Sequence, residues 1–329
     1  IKVPPPTWCP ECRMVRRMIT YNRRTLYRTK CSLCGKEIFS VYSSDKPVKV
    51  FCNKCWWSDK WDSLDYGMEL DFSVPFLEQL SKLIFKVPTM ALYVDSPTMV
   101  NSEYSSAAAH LKNCYLVFHA DFAEDSGYCD TISSSKDCFD STMVSESQLC
   151  YGSINVQKCY RTYFSIDCEN SYDLYFSKNM VGCSNCFGCT NLRNKQYYIF
   201  NKPYIKEEYF ENLKKFDLGS YAQFLNFEKQ ASDFWQAFPL KFMHGRHNVN
   251  VTGDYIEYSK NTFHSFQSAM VEDSKYCSIV YLKPTKDSYD YTSWGNNASQ
   301  IYDSQGVGEN VSRIKFSHSC WPNCTDLEH

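Results

Sequence analysis

Glycine and proline are scarce in this 329-residue chain, 12 of each, which excludes long mobile linkers and favours strands or flat stacked surfaces. No apolar run approaches the roughly 18 to 20 residues that a membrane-spanning helix needs, and no signal peptide is visible. Charge of one sign is not in excess, since the formal net charge is −2. With 43% apolar and 22% charged residues, the composition excludes global disorder. No nucleophile–base pair, phosphate-binding loop or open metal site stands out.

What the chain has instead is cysteine and aromatics: 18 Cys, 25 Tyr and 22 Phe. Secretion would make the cysteines disulfides. The metal-like spacing and a length that needs no staples argue for reduced thiols and a cytoplasmic protein. The charge is also divided. Residues 1–60 carry 13 Lys/Arg against 4 Asp/Glu, whereas the rest carries 22 against 33. A basic head on an acidic body points to a polyanion at one end.

Six cysteines form three Cys-x-x-Cys pairs: Cys9/Cys12, Cys31/Cys34 and Cys52/Cys55. Thiols two residues apart chelate one ion, and two pairs complete a tetrahedral structural zinc site. Six thiols fill one such site and a second only with borrowed ligands, for which Cys320 and Cys324 are candidates. All six are expected metal ligands, with one or two structural zinc ions as cofactor. Cys31-Ser-Leu-Cys34-Gly35 reads as a zinc knuckle, Ile38 to Phe51 as a hairpin turning at Ser43–Pro47, and Cys52–Trp61 as a helix opening. This order resembles the treble-clef class of zinc fingers, while Cys9-Pro-Glu-Cys12 resembles one knuckle of a zinc ribbon. Between the first two pairs lie Arg13, Arg16, Arg17, Arg23, Arg24 and Arg28 among tyrosines. Such a stretch suits phosphate contact and base stacking, or else a solvated face that balances the acidic body.

Ser73-Val-Pro75, then Phe76, Leu77, Leu80, Leu83 and Ile84, has helical spacing closed by Pro88, and is expected to pack head onto body. From about residue 100, Cys114, Cys138, Cys159 and Cys183 recur at 21 to 24 residues, with Cys129, Cys150 and Cys168 between them. That is a solenoid signature, with cysteine as a small hydrophobe inside and Ser, Asn and Asp at the turns. The expected fold is mainly β: a right-handed parallel β-helix-like solenoid with an N-terminal zinc finger and a helical insertion. In the insertion, Tyr209 to Phe216 and Phe224 to Phe238 have helical spacing, the second opening with a capping box, Ser220-x-x-Gln223. Repeats resume near 250 at 12 to 14 residues. The division expected is a head at 1–70, a linker helix at 71–100, coils at 101–200, the insertion at 201–245, further coils at 246–326 and a tag remnant at 327–329. The missing initiator Met and the ending Leu327-Glu328-His329 read as marks of a piece of a longer chain.

Cys9–Cys12, Cys55–Trp61 and Tyr197–Lys202 together resemble a group of uncharacterised proteins of uncultivated bacteria, a resemblance that spans most of the chain and implies no activity. Three further patterns have bland alternatives. Cys183-x2-Cys186-x2-Cys189 is a three-thiol metal candidate or part of the repeat. His244-Gly-Arg-His247 is a base or ligand pair, or a hydrogen-bonded connector. Asp121, Glu124, Asp125, Asp130, Asp137 and Asp140 are either a carboxylate site or solvated turns, and they do not recur in register. The function expected is a zinc-binding interaction module whose basic head contacts nucleic acid or another polyanion, with a protein partner or self-association along the coils. The alternatives are a β-helix enzyme acting on a carbohydrate or phosphodiester polymer, and a self-assembling structural protein.

Overall fold

In the computed structural model, the backbone from residue 101 swings into the left-handed region at almost every third position. Non-glycine φ values there run from 44° to 62° between Asn101 and Asn201. Every third residue from Ser102 to Cys189 is buried. The local unit is therefore a triplet: one outward residue, one left-handed corner, one inward residue. An L-residue at such a corner costs about 1–2 kcal/mol, least for Asn and Asp. The sequence accordingly places Asn113, Asp125, Asp137, Asn155, Asp167, Asn170, Asp173 and Asn179 at corners.

Four triplets bring the chain back onto itself. Parallel pairing joins residues twelve apart throughout this stretch: Ser106 with Phe118, Tyr115 with Gly127, Ile154 with Ile166 and Tyr172 with Ser184. The 24-residue cysteine spacing is thus two steps of a twelve-residue register. Inward serines tie the steps together. Ser165 Oγ donates to the Tyr163 carbonyl at 2.9 Å and accepts the Ser177 N–H at 3.0 Å, twelve residues on. Ser126, Ser135, Ser147, Ser171 and Ser177 do the same. Inward cysteines copy the donor half of the motif, as Cys129 Sγ to the Gly127 carbonyl (3.2 Å) and Cys159 Sγ to the Gln157 carbonyl (3.2 Å). The inward thiols are therefore small apolar fillers that also close a turn.

The structure describes residues 5–19, 22, 24–281, 284–295, 298–308, 311–320 and 324–327, in two compact units. One unit combines Ile1–Asn22 with Leu240–His329. It holds helix α1 (Pro10–Ile19) and parallel strands from Gly245 to Val307. Its register is less regular, stepping by 12 at Lys260–Glu272, by 14 at Ser278–Thr292 and by 13 at Ser288–Ile301. This agrees with the 12 to 14 spacing in the sequence. Val271, Cys277, Val280, Tyr291, Ile301 and Ile314 form its core.

The second unit is Arg23–Pro239. Its head contains β1 (Tyr27–Lys30), β2 (Glu37–Ser40), β3 (Lys49–Phe51), α2 (Asn53–Trp56), α3 (Phe76–Lys86) and β4 (Pro88–Met90). The expected Ile38–Phe51 hairpin is not the pairing that forms. β2 pairs antiparallel with β1 across the Cys31–Cys34 turn, and β3 pairs in parallel with β4. The α3 helix is where the spacing put it, but it buries no residue, so it does not serve as packing between head and body. Helices α4 (Lys206–Lys214) and α5 (Tyr221–Gln236) cover an aromatic face made by Phe176, Phe187 and Ile199, with Tyr209, Phe227 and Ala231 from the helices buried against it. Ser220 precedes α5, but its side chain forms no cap bond. Residues 1–22, which the sequence joins to the head, cluster with the C-terminal strands instead.

Candidate metal centre

The Cys31–Cys34 turn is built by local backbone chemistry. Gly35 takes φ +72°, its N–H donates to the Cys31 carbonyl at 2.9 Å, and the Cys31 N–H donates to the Lys36 carbonyl at 2.9 Å. These bonds launch β2 and leave both sulfurs on one side of the turn. The other pair comes from the start of a helix. Cys52 is extended at φ −63°, ψ 155° and immediately precedes the four-residue α2, in which Cys55 lies. The four Sγ atoms of Cys31, Cys34, Cys52 and Cys55 all lie within 4.8 Å of one another.

Four sulfurs at about 2.3 Å from a tetrahedral zinc stand about 3.8 Å apart. Cys34 and Cys52 are already at 4.0 Å, so the set needs only a small contraction to accept the ion. The surroundings support charge on Cys31. Burial opposes ionisation of Cys31, but the N–H groups of Cys34, Cys52 and Leu33 outweigh it and hold the thiol down at about 6. Burial, followed by the neighbouring sulfurs, pushes Cys55 up to about 12, and burial also raises Cys52. Such crowding of thiols is relieved by a divalent cation. Phe51, Leu33, Trp56 and Trp61 pack against the cluster, and the Trp61 Nε1–H donates to the Trp56 carbonyl at 2.9 Å. The shell is apolar, and an all-thiolate set leaves no open position for water. The arrangement is that of a structural site.

The cluster does not include Cys9 and Cys12, which are exposed at the N-terminal end of α1 in the other unit. Cys320 is buried and Cys324 half-buried. Neither they nor Cys9 and Cys12 belong to a group of three or more close ligands among the described residues. Cys183, Cys186 and Cys189 occupy three successive inward positions and donate to the carbonyls of Val181, Ser184 and Phe187. Their x2 spacing is the triplet period of the backbone.

The arginines divide between two places. Arg13 and Arg17 are buried. Arg13 Nε meets Asp290 Oδ2 at 3.0 Å, and Arg17 Nη1 meets Asp303 Oδ1 at 3.1 Å and Asp290 Oδ1 at 3.4 Å. Arg17 Nε also donates to Thr292 Oγ1 at 3.1 Å. Arg16 pairs with Asp303 and lies over the Trp8 ring. With their charges engaged inside the protein, Arg13 and Arg17 are not presented to a polyanion. Arg24 pairs with Asp130 at 2.8 Å, Arg28 stacks over Phe39, and Arg23 lies outside the described residues. Nothing in the spacing announces the Arg–Asp network, because its partners run from Arg17 with Asp290, 273 residues apart, to Arg16 with Asp303, 287 apart.

The acidic group is paired rather than convergent. Asp121 meets His110 at 2.8 Å, Glu124 meets Lys112 at 2.6 Å, Asp125 meets Lys136 at 3.2 Å, and Asp137 accepts from Gln148. Contrary to the sequence reading, Asp125 and Asp137 do recur one step apart, in a column with Asn113, whose amide donates to Asp125. Asp130 is the exception in environment. Burial opposes its charge, yet His119, Arg24 and Thr131 hold it down at about 2. His244 and His247 do not share a ligand position. His244 bonds Asp254 at 3.0 Å and stacks on Tyr255, while His247 stacks on Tyr258.

No family model matches the chain, and no curated protein matches it. Among solved structures, it is similar to a protein of Desulfovibrio desulfuricans G20 provisionally named an acetyltransferase, with 9% identity over 70% of each chain and a TM-score of 0.15. At that level the likeness carries neither fold nor activity. No helix among the described residues is long and apolar enough to cross a membrane.

Proposed function

We propose that this chain is a zinc-stabilised interaction module: a treble-clef-like head carrying one structural ion, joined to parallel β coils that form a right-handed solenoid. The observation that carries the reading is the four-thiol cluster of Cys31, Cys34, Cys52 and Cys55, preassembled, with Cys31 and Cys55 buried beside Phe51, Trp56 and Trp61 and Cys34 exposed. The coils supply a regular outer surface of side-chain ladders, suited to binding an extended partner. Contact with a polyanion at the head rests on Arg24 and Arg28 alone among the described arginines of that unit. An enzyme of carbohydrates or phosphodiesters finds less support, since Glu124, Asp125 and Asp137 are held by Lys112, Lys136 and Gln148 rather than converging on one point.

The test is elemental analysis of the purified full chain. One zinc per chain is expected, retained through dialysis and lost in Cys31→Ser/Cys34→Ser with unfolding of the head. Full zinc occupancy in that variant would refute the assignment. A salt-independent affinity for single-stranded RNA, unchanged in Arg24→Ala/Arg28→Ala, would remove the polyanion part.

A further inference from the structure

The Cys9/Cys12 pair remains once the four-thiol cluster is assigned, and its setting differs from that of the inward thiols. Cys9 immediately precedes α1, a ten-residue helix, and Cys12 lies in its first turn. The Arg13 N–H closes the first helical bond on the Cys9 carbonyl at 3.1 Å. The Cys12 N–H donates to Cys9 Sγ at 3.4 Å. Both side chains are exposed, so a second reactant has access. The frame around them is fixed. Arg13 donates from Nη1 to the Trp8 carbonyl and from Nε to buried Asp290, and Arg16 lies over the Trp8 indole. Residues on both sides of the pair are thereby anchored to the strands of their own unit. An exposed dithiol at this spacing, with its first sulfur accepting an N–H at a helix start, meets the geometric requirements of thiol–disulfide exchange: access for a second disulfide and a resolving thiol in reach.

The geometry points to Cys9 and Cys12 as a redox-active dithiol that exchanges with disulfides, separate from the structural metal site. The Cys9 thiolate attacks one sulfur of a substrate disulfide. A Cys9–substrate S–S bond forms, the substrate S–S bond breaks, and the departing thiolate takes a proton from solvent. Cys12 then loses its proton to solvent and attacks Cys9 Sγ, closing the Cys9–Cys12 disulfide and releasing the second substrate thiol. In sum, the substrate disulfide gains two electrons and two protons, and the dithiol is oxidised by the same amount.

The experiment equilibrates the zinc-loaded full chain with mixtures of reduced and oxidised glutathione, then alkylates free thiols and maps peptides. A reversible Cys9–Cys12 disulfide is expected, appearing in one two-electron transition while zinc content is unchanged. In Cys12→Ser, glutathione should accumulate on Cys9; in Cys9→Ser, Cys12 should be modified at least tenfold more slowly. Absence of the intrachain disulfide in oxidised glutathione overturns the proposal. So does a zinc content of two ions that falls to one in Cys9→Ser/Cys12→Ser, since that would make the pair a metal ligand. Neither result alters the assignment of the Cys31–Cys55 cluster, which is read from its own variant.

Discussion

Replacing Asp290 by Ala gives the sharpest test of where the basic residues of α1 work. Asp290 has a side chain only 2% exposed and accepts from Arg13 at 3.0 Å and Arg17 at 3.4 Å. Its removal takes from Arg13 its Asp290 partner and from Arg17 one of its two carboxylate partners, Asp303 remaining, with both arginines inside the protein. Breaking a buried ion pair from one side costs about 3–5 kcal/mol, because the remaining charge stays desolvated. At an m-value of about 2 kcal/mol/M, that lowers the urea midpoint of this unit by roughly 2 M. Arg24→Ala, which breaks a pair whose arginine is 64% exposed, should cost about 1 kcal/mol or less. Replacing Arg13, Arg17, Asp290 and Asp303 together by apolar residues of similar size should recover most of the loss, since no buried charge is then unpaired. The assay is urea denaturation of the full chain, followed by a probe in the C-terminal strands such as hydrogen exchange of residues 288–307. An Asp290→Ala cost no larger than that of Arg24→Ala would refute the account and return Arg13 and Arg17 to the exposed basic surface.

Zinc binding should release protons, because burial holds one on Cys55 up to about 12; calorimetry in two buffers of different ionisation enthalpy should show the release, and an affinity constant between pH 6 and 8 would contradict it. In the metal-free head, Cys31 is depressed to about 6, so its contribution to stability is complete above the ordinary thiol pKa and disappears as pH falls through about 6, which an acid titration of apo-head fluorescence at Trp56 and Trp61 can follow. Ser165→Ala should cost about 1–3 kcal/mol by leaving the Ser177 N–H without the Ser165 hydroxyl, the Tyr163 carbonyl keeping the Phe176 N–H, whereas Ser165→Cys should cost less; equal losses in thermal melts would count against the turn-closing role of the inward thiols. Asp130 is held down at about 2 by His119, Arg24 and Thr131 against burial, so it stabilises the fold above the ordinary Asp range and the gain is lost between about pH 4 and 2; Asp130→Asn should flatten that part of the acid-unfolding curve.

How far the residues alone reached differs from element to element. The four thiols that could hold a metal ion lay within the six the sequence marked, because each pair is set locally: Cys31/Cys34 needs only a turn with Gly35, and Cys52/Cys55 only the first turn of a helix, whereas nothing local excluded Cys9/Cys12. The period of the body was half legible. Cysteines at 24-residue intervals signalled stacking, but serine fills the intermediate inward positions as well as cysteine does, so the twelve-residue step was hidden. The same substitution explains why Cys183, Cys186 and Cys189 resembled a metal motif. A three-residue period produces the same spacing as a chelate, and only backbone direction separates sulfurs on a turn from sulfurs on successive inward positions.

By itself, then, the sequence determined what depends on neighbours along the chain: the Cys-x-x-Cys pairs, though not which two of the three meet, the helices at 76–86, 206–214 and 221–236, and the preference of Asn and Asp for corners. Tertiary structure decided what depends on residues meeting across the fold. It paired β1 with β2 and β3 with β4, placed α1 with the C-terminal strands, and turned Arg13 and Arg17 from a basic surface into buried partners of Asp290 and Asp303. The physical reason is that an ion pair between residues more than 270 positions apart, or a parallel pairing such as that of Val50 with Thr89, leaves no mark in local spacing, whereas a chelate or a helix turn does.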